Sequence, residues 1–349
     1  MTGEIHEKDW AIFCRVIDNH GDVGVCWRLA TQLAQQGLKT HLYIDDASAL
    51  QWMAPQGDDR VRVLPWPSPQ AVFSPAQVPG VVIEAFGCEL PLGYQAAMAA
   101  KPTAPVWVNL EYFSLEASAQ RNHGLPSPVL SGPARGLVKW FYYPGWGEHS
   151  GGLLTGWTQA AAAQRGRSGT QPFQISVFCY EPPSLAGWLN QLSRFPQPVH
   201  LQVTAGRASA AVQQALPSVD ASGLTVNYLN HLSQADYDAL LARMDLNLVR
   251  GEDSLVRAMC AGKPLLWQIY PQHDGAHWPK LQAFLQQTQA PLRVVQAHEA
   301  WNADHPCELP ALSEALLHEW RAGAQQLQRQ LAQQTGLAER LVGFVTAKG

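Results

Sequence analysis

The chain lacks the cysteine spacing that marks a metal or dithiol site. Cys14, Cys26, Cys88, Cys179, Cys260 and Cys307 are scattered, with no C-x-x-C pair. Several lie in apolar runs, as Cys14 does in AIFCRVI and Cys179 in ISVFCY. Buried free thiols in a reducing compartment are therefore expected. Long hydrophobic runs are also missing: no stretch approaches the roughly 18 apolar residues of a membrane span. MTGEIHEKDW at the start is polar and has no apolar signal-peptide core. The expectation is a cytoplasmic protein with no membrane partner. An excess of basic residues is absent too. The formal charge is −4, which argues against general nucleic-acid binding and weakly suits a basic partner.

What is present is enough chain for two domains, 349 residues with 46% apolar content. The N-terminal half alternates strands with helices. WAIFCRVI over 10–17 is fit for a buried parallel strand. DNHGD over 18–22 is a turn, and 23–36 follows a helical pattern that ends at Gly37. Residues 39–44, 61–64, 81–86 and 105–110 are further strand candidates. Between about residues 145 and 172 the composition shifts to Gly, Ser, Ala and Gln, as in interdomain segments. A second series follows, with strands over 173–180, 199–204, 224–229, 245–249 and 264–267. The last forty residues read as helical. This predicts an α/β chain of two doubly wound, Rossmann-like domains facing each other across a cleft. The boundaries fall at 1–158, a linker over 159–171, a second domain over 172–330 and a helical segment over 331–349.

Two turns carry the chemistry. The first is Asp18-Asn19-His20-Gly21-Asp22-Val23-Gly24, at the end of the opening strand. It sets two carboxylates four residues apart where a helix begins, and Gly21 and Gly24 let the backbone approach a ligand closely. Either aspartate alone can equally serve as a helix cap. The spacing is G-x-x-G and not the G-x-G-x-x-G of a dinucleotide site, which disfavours a nicotinamide-dependent oxidoreductase.

The second is Arg250-Gly251-Glu252-Asp253-Ser254, followed by Gly262-Lys263-Pro264. A strand leading into a helix there presents unpaired backbone N–H groups and a positive dipole end to a diphosphate. Ser254 adds a hydroxyl, and Glu252 or Asp253 can accept hydrogen bonds from sugar hydroxyls. Asp253 or Ser254 can cap the helix at the same time. Phe178, Tyr180, Tyr237 and Tyr270 offer flat faces to a base, although Tyr237 taken singly reads as core. His273, Asp274 and His277 (HDGAH) have no supporting Cys or Glu pair, so a solvated loop is expected there and not a metal site.

Five segments in order resemble the elongation factor P arginine rhamnosyltransferases, the bacterial EarP family. They are FCRVIDNHGDVGVCWRLATQL from Phe13, WVNLEYFSLE over 107–116, FYYPGW with GGLL over 141–154, SVFCYE over 176–181, and NLVRGEDSLVRAMCAGKPLLWQIYPQ from Asn247. The resemblance implies a GT-B fold, with the protein acceptor, elongation factor P, on the N-terminal domain. It also implies that the co-substrate dTDP-β-L-rhamnose lies mainly on the C-terminal domain, that the anomeric centre is inverted, and that no metal or cofactor is needed. It implies catalytic roles for Asp18, Asp22 and Glu252. The implied donor pocket comprises Phe178, Tyr180, Gln234, Tyr237, Arg250, Asp253, Ser254 and Tyr270, with Asn19, Gly21 and Gly251 from the matching turns. One departure stands inside the helix: Met259 and Cys260 replace the family's polar residue and tryptophan, which is expected to change packing and not activity. The rival readings are a GT-B transferase with another donor or acceptor, and a catalytically dead protein that only docks on a translation factor. Retention of Asp18, Asp22 and Glu252 speaks against the second.

Overall fold

The computed structural model describes residues 9–16, 20–155, 171–272, 275 and 277–349. The chain divides into two compact units. The first comprises Met1–Thr155 and Gln334–Gly349, and the second Gly156–Gln333. The first unit runs β1 (Trp10–Cys14), α1 (Gly21–Gln35), β2 (Thr40–Ile44), α2 (Leu50–Met53), β3 (Val61–Pro65), β4 (Val81–Ala85), α3 (Leu92–Ala99), β5 (Val106–Leu110), α4 (Ala117–Asn122), β6 (Pro126–Pro128) and β7 (Val138–Tyr142). The second contains β8 (Phe173–Val177), α5 (Leu185–Leu192), β9 (Val199–Val203), α6 (Arg207–Ala215), β10 (Leu224–Tyr228), α7 (Gln234–Arg243), β11 (Leu246–Arg250), α8 (Gly251–Ala261), β12 (Leu265–Gln268), α9 (His277–Gln287), α10 (Leu292–Asn302) and α11 (Glu314–Ala332). The final helix, α12 (Leu337–Lys348), belongs to the first unit.

In the first unit the sheet order is β3-β2-β1-β4-β5-β7-β6. All its pairs are parallel except β6 with β7. The second sheet, β10-β9-β8-β11-β12, is parallel throughout. Each sheet therefore reverses its strand order beside its opening strand, between β1 and β4 and between β8 and β11. Open α/β sheets bind ligands at such switch points, beyond the carboxyl ends of the strands.

The apolar run of β1 is explained by burial on both faces, since all five residues are shielded from solvent. Trp10, Ile12 and Cys14 point into the core with Cys26, Leu29 and Leu33 of α1 and with Leu337, Leu341 and Val345 of α12. Ala11 and Phe13 point to the opposite side, where Phe13 stacks on Tyr43 at 4.5 Å and meets Tyr94 edge-on at 4.6 Å. Helix α1 stops where Gly37 takes φ +85°, a left-handed conformation that suits glycine at a helix end. The opening strand is shorter than its apolar run, ending at Cys14.

Two strands of the first sheet, β6 and β7, were not expected from the sequence. Strand β6 is a proline-bounded edge segment, PSP, with no alternating pattern. Strand β7 sits beside β5 and brings Lys139 to buried Glu84 at 2.9 Å, while the Trp107 indole N–H donates to the other Glu84 oxygen at 3.1 Å. That partnership is what lets a carboxylate lie inside an otherwise apolar strand.

The cysteines are all free, four of them buried. Among the described residues no helix is long and apolar enough to cross a membrane. The closing residues are helical as expected, but the two helices serve different units.

Two outcomes follow from this packing. Leu341→Ala empties a fully buried position where α12 meets the first core, so it should lower stability by about 2–5 kcal/mol in chemical denaturation. In the second unit, burial holds the His298 imidazole down at about 4, below its usual 6.5. As pH falls, the unfolded chain takes up a proton first. The stability that the neutral ring supports is complete above about 6.5 and drains away as pH drops toward about 4. Denaturation midpoints over that range should fall less steeply in His298→Leu.

Candidate active site

At the β8/β11 switch point the backbone dictates which side chains converge. Strand β11 ends at Arg250, and Gly251 then adopts φ +65° to open α8. A β-carbon at Gly251 would meet the Tyr180 hydroxyl at 3.7 Å, so the difficulty for another residue is its conformation and not the space. The Arg250 guanidinium lies 4.5 Å from the Phe178 ring centre and 4.7 Å from that of Tyr180. One of its N–H groups donates to the Cys179 carbonyl at 3.2 Å. Desolvated cation–π contacts of this kind contribute up to about 2 kcal/mol. Burial lowers the Arg250 pKa from its ordinary value, and nearby Arg207 pushes the same way. Arg207 also sits 4.7 Å from the Tyr180 ring and is ion-paired to Glu181.

Tyr270 meets Tyr180 edge-on at 5.5 Å. The two differ in exposure: Tyr180 is buried, whereas Tyr270 is 43% exposed and open to a ligand. Gln268, at the end of β12, accepts the Tyr180 backbone N–H at 2.8 Å, and the Trp267 indole N–H donates to the Gly251 carbonyl at 2.9 Å. The buried ends of β8, β11 and β12 are thus bonded to one another.

Glu252, Asp253 and Ser254 occupy the first turn of α8, because that helix starts at Gly251 and not beyond the acidic pair. The Ser254 hydroxyl donates to the Arg250 carbonyl, and Glu252 is ion-paired with Lys280. First-turn N–H groups have no intrahelical acceptor, so this end of α8 offers donors to an anion. Helix α7 is capped by Ser233, whose side chain accepts the Asp236 N–H at 3.1 Å. The same helix brings Gln234 and buried Tyr237 alongside. Phe178 meets Tyr237 edge-on at 5.7 Å. Burial pushes the Tyr237 phenol pKa up, and a side-chain hydrogen bond with Ser254 offsets part of that rise, so the hydroxyl and the first turn of α8 are coupled. Phe178, Tyr180, Gln234, Tyr237, Arg250, Gly251, Asp253, Ser254 and Tyr270 come from segments 178–180, 234–237, 250–254 and 270, and contacts connect most of them.

The first unit carries candidate groups of its own. Asp18 and Asn19 lie outside the described residues. Gly21 opens α1 with open space where a side chain would stand, and Asp22 sits buried in that helix's first turn. The cap position belongs to His20, so Asp22 is not the N-cap. Asp22 thus stands at the β1/β4 switch point, as Arg250 does at that of the second sheet.

HDGAH is only partly described, since His273 and Asp274 fall outside the described residues. His277 corrects the expectation of a solvated loop. It begins α9, is buried, and accepts the Gln272 backbone N–H at 3.2 Å through Nδ1. Among the described residues no three His, Cys, Asp or Glu side chains are grouped to hold a metal ion. Met259 is buried, and Cys260 is half-buried with its carbonyl accepting from Gln328 at 2.9 Å, a packing position as expected.

Lys280, Gln268, Arg207 and Arg257 were not singled out from the sequence. Gln268 carried a usable signal, a lone amide in the apolar strand LLWQIY. Lys280 and Arg207 come from elsewhere in the chain and only the fold brings them to these turns, while Arg257 stands in α8 itself and takes its partners Gln234 and Asp238 from α7.

The family described as Elongation-Factor P (EF-P) rhamnosyltransferase EarP matches residues 10–346. The chain belongs to this family. It is 42% identical over 334 residues to the protein-arginine rhamnosyltransferase of Pseudomonas putida KT2440, covering 84% of this chain and 87% of the relative. It is 40% identical to the protein-arginine rhamnosyltransferase of Pseudomonas aeruginosa PAO1, covering 96% of this chain and 98% of the relative. A solved structure described as the structural basis for EarP-mediated arginine glycosylation of translation elongation factor EF-P is 28% identical with a TM-score of 0.64, over 98% of this chain and 100% of that one. The chain is a glycosyltransferase, and its two Rossmann-like units are those of the GT-B fold.

Trp267→Phe removes one donor from the Gly251 carbonyl while keeping an aromatic ring. It should cost about 1 kcal/mol of stability, measurable by thermal unfolding.

Proposed function

We propose that this protein transfers L-rhamnose from dTDP-β-L-rhamnose to an arginine side chain of elongation factor P, inverting the anomeric centre, in the cytoplasm. The observation that carries the reading is the seat at the β8/β11 switch point. There the N-terminal turn of α8 and the Arg250 cation, set beside the Phe178 and Tyr180 rings, favour an anionic ligand with a flat base such as a nucleoside diphosphate sugar. Family membership and relatives that are protein-arginine rhamnosyltransferases support the sugar and the acceptor.

Arginine is a reluctant nucleophile. Its pKa exceeds about 12, so the guanidinium is protonated and its lone pairs are delocalised. A carboxylate pair answers both problems. Asp18 grips and orients the guanidinium through charge-assisted hydrogen bonds, and Asp22 takes one proton from the attacking nitrogen. The freed electron pair forms the bond to the anomeric carbon as the bond to the diphosphate oxygen breaks. The departing dTDP carries away that bond's electrons. Arg250 and the N-terminus of α8 stabilise the charge that develops on it. Attack opposite the leaving group gives inversion with no covalent intermediate, and no metal or cofactor takes part. Glu252 and Asp253 act at the sugar hydroxyls, with Glu252 held by Lys280. Tyr270 and the Phe178–Tyr180 pair supply flat surface for the base.

Incubation with elongation factor P and a panel of dTDP-sugars, read by intact mass, should add one rhamnosyl group from dTDP-rhamnose. Modification from another sugar only, or of another acceptor only, would move the protein to a different GT-B activity. Asp22→Asn should bind dTDP normally and lose turnover by a factor on the order of 100 or more. Near-normal turnover in that variant removes Asp22 from the base role. Ser254→Ala and Tyr270→Ala should chiefly raise the donor KM, and unchanged donor affinity in both places the pocket elsewhere.

A further inference from the structure

Arg257 lies two turns into α8, at the edge of the site just described but outside every role assigned so far. Its side chain is only 4% exposed. Each part of the guanidinium is engaged. Nε donates to Asp238 Oδ1 at 2.7 Å, one terminal nitrogen donates to the Gln234 backbone carbonyl, and the other lies 3.7 Å from Asp253 Oδ2. The guanidinium carbon also sits 4.8 Å from the centre of the Tyr237 ring. A single buried cation therefore touches Gln234, Tyr237 and Asp253, three groups of the donor pocket, and ties the start of α7 to the start of α8.

Joining two helices does not call for this arrangement. An apolar pair does so without removing a charge from water, and replacing a buried ion cluster by well-packed apolar groups is often neutral or stabilising. What an arginine adds is direction. Its planar fork fixes several acceptors at set angles at once. The acceptors held here are the Gln234 turn and the Asp253 carboxylate, while the Tyr237 ring rests against the guanidinium. The result is a pocket whose polar groups are in place before the ligand arrives.

We infer that Arg257 is a positioning residue for the nucleotide-sugar site, acting through Gln234, Tyr237 and Asp253 to hold the dTDP-binding groups of α7 and α8 in one fixed arrangement. The inference rests on the proposed donor site. Arg257 touches neither reacting atom, so its effect falls on donor binding and not on proton transfer at Asp22.

The test is calorimetric titration of dTDP into the full-length protein and into Arg257→Lys and Asp238→Asn, alongside thermal unfolding and steady-state kinetics with elongation factor P. Lysine keeps the charge but cannot span three acceptors. Arg257→Lys should weaken dTDP binding by roughly tenfold to a hundredfold, the scale on which small misplacements of site groups act. It should raise the donor KM to match, and leave the acceptor KM and the melting transition nearly unchanged. Asp238→Asn, which removes the charge from the Nε partner of the same fork and leaves Gln234, Tyr237 and Asp253 in place, should weaken dTDP in the same direction by less. In the double variant the two losses should not add. Wild-type dTDP affinity in Arg257→Lys overturns the inference, as does a loss of affinity that only tracks a lost folded fraction. Should Arg257→Lys fail to fold, Asp238→Asn decides: weakened dTDP binding with an intact melting transition supports the role, and unchanged binding overturns it. Failure of the wild-type protein to bind dTDP is a different result, which removes the donor site itself and the inference with it.

Discussion

Parallel strands cannot be joined by tight turns, so each sheet must carry its chain across a face by a helix and later cross to the other side of its opening strand. The place where that crossing happens is left open at the strand ends, and in both units it is where the proposed reactive groups stand. In the second unit the opening is lined by Phe178 and Tyr180 after β8 and by Arg250 and Gly251 after β11. In the first it lies beside the start of α1, where Asp22 is buried in the opening turn. Topology supplies the two positions, and local sequence decides what occupies them.

The second position is built around a half-buried cation, Arg250, set against two aromatic faces and donating to a carbonyl. Those contacts orient the guanidinium at the ends of β8 and β11. Around them the scaffold is stiff. Gln268 and Trp267 bond β12 to the turns after β8 and β11, and Lys280 and Arg257 secure the acidic pair Glu252 and Asp253.

Much of this was legible without coordinates, for reasons that can be named. Largely buried parallel strands show as predominantly apolar runs, which is why WAIFC, VVIEA and FQISV stood out with boundaries accurate to a few residues, polar Glu84, Gln174 and Ser176 notwithstanding. The turn RGEDS was legible because a strand-to-helix turn needs a residue tolerant of positive φ followed by polar first-turn residues, and Gly251 and its neighbours are those types. Strands β6 and β7 were hidden because an edge strand flanked by prolines has no periodic pattern, and because the lysine in VKWFY looks exposed until Glu84 is found beside it. His277 was misread because nothing local shows that its ring accepts an amide from five residues earlier and is buried at a helix start.

The sequence by itself determined the class of fold and the family, and it singled out the two turns of the proposed chemistry, because those depend on local pattern and on residue types at fixed spacing. Only the tertiary structure decided that α12 completes the first core after α11 has packed in the second. It likewise decided that Arg207, Lys280 and Arg257 become partners of Tyr180, Glu252 and Asp253. Most of these contacts join residues tens of positions apart. Even the Arg257–Asp253 pair, one helical turn apart, takes its setting from α7, and no local preference encodes which helix will lie against which turn.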